Sequence, residues 1–246
     1  MFIYLTFALC GLGAATLVYR YDLYDREPLP AAALAVGLGA AFMAGASPLE
    51  IYTFRLLGIE RVAGLAAVAA IEEEALKLLV VVLFAVFARR TFNDPMDGII
   101  YGSLAGLGAA LEEGIAVLRS RPATEILLPP AELVRLGGHL VMGGLGGFGV
   151  GRTVTRDRGA WLAVALGFGS AVGLHFGWDL LALRGDPFRE GAAPRGTLLG
   201  AALMLAGFAL YGRLVVVASR WSQGVFSPTA VLTLLGWPWR RSRRLF

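Results

Sequence analysis

The chain has 246 residues, 57% of them hydrophobic and only 16% charged, with a mean hydropathy of +0.68. That apolarity excludes a soluble domain of this length and marks a polytopic membrane protein, an all-α bundle of transmembrane helices. A formal net charge of +4 does not point to a nucleic-acid partner, because the basic residues sit in short loops and in the tail Arg240, Arg241, Arg243 and Arg244, a pattern of topology signals and contacts with anionic lipid head groups.

Hydropathy predicts seven spans: Phe2 to Tyr19, Ala31 to Ser47, Val62 to Phe87, Pro95 to Leu118, Ala131 to Gly151, Trp161 to Leu183 and Thr197 to Ser219. No basic n-region opens the first span and no small-residue cleavage site follows it, so it reads as a retained helix and not a signal peptide. Phe226 to Trp237 is too short to span and is expected to lie at the membrane interface ahead of the arginine tail. No soluble domain or linker interrupts the bundle, and residues 1–246 read as one membrane-embedded domain. Twelve loop and tail arginines fall on the C-terminal side of the membrane against seven on the other, which predicts N-terminus out and C-terminus in. The one cysteine, Cys10, permits no intrachain disulfide and leaves the redox compartment unreadable.

Glycines at four-residue spacing, Gly102/Gly106, Gly143/Gly147/Gly151 and Gly169/Gly173/Gly177, predict smooth faces on spans four, five and six where helices approach closely. Asp94, Pro95 and Asp97 read as a helix start at the inner face, with proline at the first helical position and an anion in the first turn.

The intramembrane charges carry the functional signal. Glu72, Glu73 and Glu74 lie mid-span, one turn before Lys77, the only lysine. Each carboxylate there costs about 2.5–3.5 kcal/mol on insertion scales, and one lysine cannot compensate three of them. The other spans hold Glu112, Glu113, Arg135, His139, His175 and Asp179, and the two histidines are the only ones in the chain. At about 1.5 Å per residue, Glu73 lies roughly 16 Å from the outer end of its span, His139 and His175 about 12 Å, Glu113 about 8 Å and Asp179 about 6 Å. Neighbouring helices run in opposite directions, so this common depth is not automatic, and it predicts one polar cavity open toward the outer side. Four-residue spacing pairs Glu73 with Lys77, Arg135 with His139 and His175 with Asp179, and Glu74 is an alternative partner for Lys77.

Glu73-Glu74-Ala75-Leu76-Lys77, the run from Phe92-Asn93-Asp94-Pro95 through Gly102, Gly106-Leu107-Gly108 leading to Glu113, and the acidic first loop from Asp22 to Pro28 resemble the PrsW family of glutamic-type intramembrane proteases. The resemblance runs from Asp22 to Asp179 and also links the chain to a wider superfamily with CAAX prenyl endopeptidases and bacteriocin-immunity membrane proteins. It implies a protease-like domain that hydrolyses a peptide bond in or near the transmembrane segment of a membrane-protein substrate, of the anti-sigma-factor class in relatives. It further implies that Glu73 or Glu74 activates water while His139, and His175 with Asp179, stabilise the oxyanion, with Lys77 and Glu113 in support and no cofactor. Gly114 and Asp179 depart from the family pattern, which has asparagine in both places in many members. An ionised Asp179 would repel an oxyanion, so it must be protonated, orient His175 or serve another chemistry.

Two other readings fit the same residues. Glu73 or Asp179 with His139 and His175 offers three ligands for zinc, although no His-Glu-x-x-His motif is present. Buried Glu and His chains also serve as proton relays in transporters, but the halves show no internal repeat, and a scaffold or immunity-type protein is the stronger non-enzyme alternative.

Overall fold

The computed structural model describes residues 2–21, 23–121, 128–155, 158–185 and 193–226. Among them the chain forms seven α-helices and no strand: α1 (Phe2–Tyr19), α2 (Leu29–Leu57), α3 (Val62–Phe87), α4 (Pro95–Arg119), α5 (Pro130–Val154), α6 (Ala160–Ala182) and α7 (Pro194–Phe226). The interfacial segment and arginine tail expected beyond α7 lie outside the described residues. By length and composition, α1, α2, α5, α6 and α7 are apolar enough to cross a membrane. α3 and α4 are of similar length, 26 and 25 residues. Leu29, Phe87, Trp161, Leu198 and Leu205 point outward, as lipid allows and water does not.

α4 is the axis of the bundle. Every residue from Pro95 to Ala110 is buried, because its neighbours reach its backbone rather than its side chains. Along α5, Gly98 faces the carbonyl of Gly147, Gly102 that of Gly143, and Gly106 that of His139; on the other side, Gly108 faces Val36 of α2 and Gly39 faces Ala105. Lipid supplies no hydrophobic force between helices, so close backbone approach at small residues is what holds α4 to its neighbours. The α6 glycines behave differently from expectation. Gly169 and Gly173 have open space where a side chain would be, and Gly177 meets only Leu203; Gly167 against Leu145 and Gly149 against Val164 form the α5–α6 seam instead.

The start of α4 is a capping box. Asp94 accepts from the backbone N–H groups of Met96 and Asp97, and Asp97 Oδ2 accepts from those of Asn93 at 2.6 Å and Asp94 at 2.9 Å. The first loop is tied to this cap: the Tyr101 hydroxyl donates to the Glu27 carboxylate and Asn93 Nδ2 donates to Asp25 Oδ2 at 3.2 Å. The acidic loop and the Asn-Asp-Pro stretch, far apart in sequence, are therefore one structural unit. α2 runs ten residues past the predicted end at Ser47, with Pro48 inside the helix. That continuation brings Glu50 and Thr53 alongside α3, where Thr53 donates to Glu72 Oε1 at 2.6 Å.

Candidate active site

α3 presents Glu73, Glu74 and Lys77 on the face that meets α5 and α6, and all three are buried. Lys77 ion-pairs with Glu74, three residues back, and not with Glu73. The choice is made by α6: Nδ1 of His175 lies 2.7 Å from the same Glu74 Oε1, which holds that carboxylate on the lysine side. His139 on α5 completes the set, with Nδ1 3.3 Å from Lys77 Nζ and Nε2 3.3 Å from Glu113 Oε2 on α4. The two imidazole rings meet edge to face, centroids 5.1 Å apart.

A second tier orders the first. Arg135, one turn before His139, does not pair with it directly; it ion-pairs with Glu113, and its Nε is 3.3 Å from Glu132. His175 Nε2 faces Asp179 Oδ2 at 3.4 Å and Glu73 Oε2 at 3.7 Å. The expected open cavity is instead packed: the Glu73, Glu74, Lys77, His139 and His175 side chains are buried, and the carboxylates nearest solvent are Glu113, 36% exposed, and Asp179, 21%. The space beside Glu74 and Lys77 is closed by Met142, Gly143 and Phe168 and leaves no room for a water molecule.

All seven residues singled out from sequence (Glu73, Glu74, Lys77, Glu113, His139, His175 and Asp179) thus share one contact network. Sequence reasoning missed three others. Glu132 is fully buried beside Arg135, and Glu50 lies within electrostatic range of Glu72, Asp179, Glu113 and His175. Thr53 was the third, and the signal was available: a charged residue and a threonine recur three apart on the apolar α2 once Pro48 is allowed inside it.

Glu73, His139 and His175 each offer one ligand atom, and those atoms lie within 4.8 Å of one another, as metal binding requires. Glu73 Oε2 is buried and makes no hydrogen bond, with His175 Nε2 facing it at 3.7 Å. Together the fold and this network define a multi-pass membrane protein with a buried cluster of ionisable side chains. The chain belongs to the PrsW family: the description "PrsW family intramembrane metalloprotease" matches residues 27–211, which include the whole network. The family is the one the motifs resembled, while its description names a metalloprotease where a glutamic type was expected. No curated protein and no solved structure matches the chain.

Proposed function

We propose that the protein is a metal-dependent intramembrane endopeptidase, cutting a membrane-protein substrate in or near its transmembrane segment, with Glu73, His139 and His175 holding a divalent ion such as zinc. The observation that carries this reading is the convergence of those three donors, with Glu73 Oε2 buried and without a hydrogen bond. When bound, the ion polarises the scissile carbonyl and lowers the pKa of the attacking water.

The chain's own groups do the rest. Glu74 accepts the Nδ1 hydrogen of His175, which fixes the tautomer and turns Nε2 toward Glu73. Lys77 compensates Glu74 and keeps it a carboxylate in the bundle interior. Asp179 reaches the rim, has His175 as its side-chain partner, and is the group that takes a proton from water and returns it to the leaving amine. Arg135 holds Glu113 against His139. With the N-terminus out, this chemistry faces the extracytoplasmic half of the bilayer.

One observation favours the glutamic alternative. Lys77 can only donate, so the His139 Nδ1 contact makes that nitrogen an acceptor and leaves Nε2–H for Glu113; both ring nitrogens are then engaged without a metal. In that reading Glu73 Oε2 is itself the base. Metal analysis of the purified protein, with cleavage of a single-span substrate in liposomes before and after chelation, separates the two. Metal dependence predicts about one zinc per chain, loss of occupancy in His139→Ala, and activity removed by chelator and restored by zinc. Full turnover by the metal-free protein, abolished in Glu73→Gln, selects the glutamic mechanism. Full turnover by Glu73→Gln overturns both.

A further inference from the structure

Glu73 and His175 are buried in a packed bundle, so a substrate's peptide bond reaches them only where a wall gives way. α4 and α5 are joined backbone to backbone, and α6 is seamed to α5 through Gly149 and Gly167. α2 changes character along its length. Its buried residues, Ala32, Ala35, Gly39, Met43 and Ala46, form one stripe at helical spacing, and no residue of α2 beyond Ala46 is buried. Met43 and Ala46 end that stripe in a small apolar cluster with Ala109 and Leu76. Two residues further on stands Pro48, which has no N–H for the carbonyl one turn back, so the helix ladder loses a rung there.

Beyond the proline the same stripe continues through Glu50 and Thr53, both half-buried, while Leu49, Ile51, Tyr52, Leu56 and Leu57 are exposed. Among the described residues, the bond from Thr53 to Glu72 Oε1, 2.6 Å long, is the one side-chain hydrogen bond that ties residues 48–57 to another helix. Glu50 has Glu72, Asp179 and Glu113 in electrostatic range, carboxylates that offer it no ion pair. At the far end Gly58 takes φ 62, the left-handed conformation glycine favours, with nothing within 4 Å of where a side chain would be. A segment with a weakened turn at one end, an open glycine at the other and a single hydrogen bond between them is the least anchored wall of the site.

Resting on the protease reading above, we infer that residues 48–57 of α2 form a lateral gate: the segment swings at Pro48 and Gly58 to admit the substrate's transmembrane segment, and the Thr53–Glu72 hydrogen bond is its latch. α2 and α6 both pack on α3 and form no seam with each other, so the swing opens a path from the bilayer over the outer half of α3. Glu72 and Asp179 border that path. Glu73 follows Glu72 in the chain and His175 faces Asp179, so a segment that passes them arrives at the buried cluster. Gating of this kind shields the site from lipid and water until substrate is present.

The test uses the full-length protein in liposomes with a single-span peptide substrate, in a Cys10→Ala background that removes the one native thiol. Thr53→Cys with Glu72→Cys, joined by a short reducible bis-thiosulfonate linker, is expected to lose most of its kcat/KM and to regain it when a phosphine reductant opens the link. Because the comparison is made on one protein before and after linking, a folding defect does not imitate it. Thr53→Val, which removes the latch, is expected to raise kcat/KM about fivefold, the population shift given by one hydrogen bond of ordinary net strength. Pro48→Ala, which restores the missing rung, is expected to lower it. Equal cleavage by linked and unlinked protein, or no change in either single variant, overturns the gate and leaves the protease reading standing. Absence of Glu73-dependent cleavage by the unlinked protein overturns both. As an activity-independent arm, spin labels at the exposed positions Leu56 and Leu183, at the ends of α2 and α6, are expected to move apart when the Glu73→Gln protein co-purifies with the peptide; an unchanged distance with peptide bound overturns the gate.

Discussion

Gly106→Ala tests whether backbone packing positions the chemistry. A methyl group at Gly106 falls on the main-chain carbonyl of His139, and the next nearest atom is the backbone nitrogen of Leu140. Neither can swing away as a side-chain tip would, so α4 and α5 must part by on the order of 1 Å at the level of the imidazole. Overpacking of this kind costs about 1–3 kcal/mol of stability, and a displacement of that size at a reacting group costs about a hundredfold in rate. The matched control is Gly169→Ala, where the new methyl meets nothing within 4 Å. Thermal unfolding in detergent and substrate cleavage in liposomes should show Gly106→Ala less stable and about two orders of magnitude slower, and Gly169→Ala like wild type in both. Wild-type turnover and melting in Gly106→Ala would refute the claim that the glycine seam holds His139 in place. A defect in Gly169→Ala as large as that in Gly106→Ala would refute the division between packed and open glycines.

Lys77→Met should destabilise the bundle by about 3–5 kcal/mol, because Glu74 is left buried without its cation. Adding Glu74→Gln should recover much of that loss in the melting curve without restoring cleavage, since His175 loses its carboxylate acceptor; a double variant no more stable than Lys77→Met rejects the pairing. In the first loop, burial is the main cause that raises the Glu27 carboxyl above its ordinary value of 4.5, opposed by hydrogen bonds from Asp97 and Tyr101. The stability Glu27 contributes is therefore fully present below pH 4.5 and is lost as pH rises through its folded value. Glu27→Gln keeps the acceptor for Tyr101 and removes the charge, so its melting temperature should gain on wild type as pH is raised from 4 to 8. Parallel melting profiles across that range reject the assignment.

Helix content was legible because span length and apolarity are properties of a segment by itself. α3 begins and ends at the predicted residues, and α4 differs by one. Hydropathy ended α2 at Ser47, but the helix continues through Pro48 to Leu57; in a membrane, neighbouring helices restore what an internal proline removes. Glu50 was lost with that segment. For the site, helical rise alone put the glutamates and histidines at one depth, and that inference needs only α3 to α6 to cross the same slab. Partner choice was not legible. Spacing allows Lys77 either Glu73 or Glu74, and His175, a hundred residues away, decides between them. The glycine patterns on α5 and α6 look alike in sequence, yet the face carrying Gly169 and Gly173 packs against nothing. Whether a small-residue stripe meets protein or lipid depends on the neighbouring helix and not on the stripe.

The charge content of the site links the two catalytic readings. Glu73, Glu74, Glu113, Glu132 and Asp179 outnumber Lys77 and Arg135 in the contact network, and the bundle interior tolerates uncompensated anions poorly. The remaining places for positive charge are the two imidazoles. His175 can carry a charge as an imidazolium, whereas His139 Nδ1 accepts from Lys77, so a proton or an ion taken up at that nitrogen would compete with the Lys77 contact. Lys77 sits where that competition is decided. Its contact with His139 Nδ1 holds the metal-free arrangement, while its pairing with Glu74 lets the ammonium withdraw from the ring without losing its counterion. A lysine with two partners, one fixed and one exchangeable, gives the centre a way to accept an ion while its nearest cation stays paired.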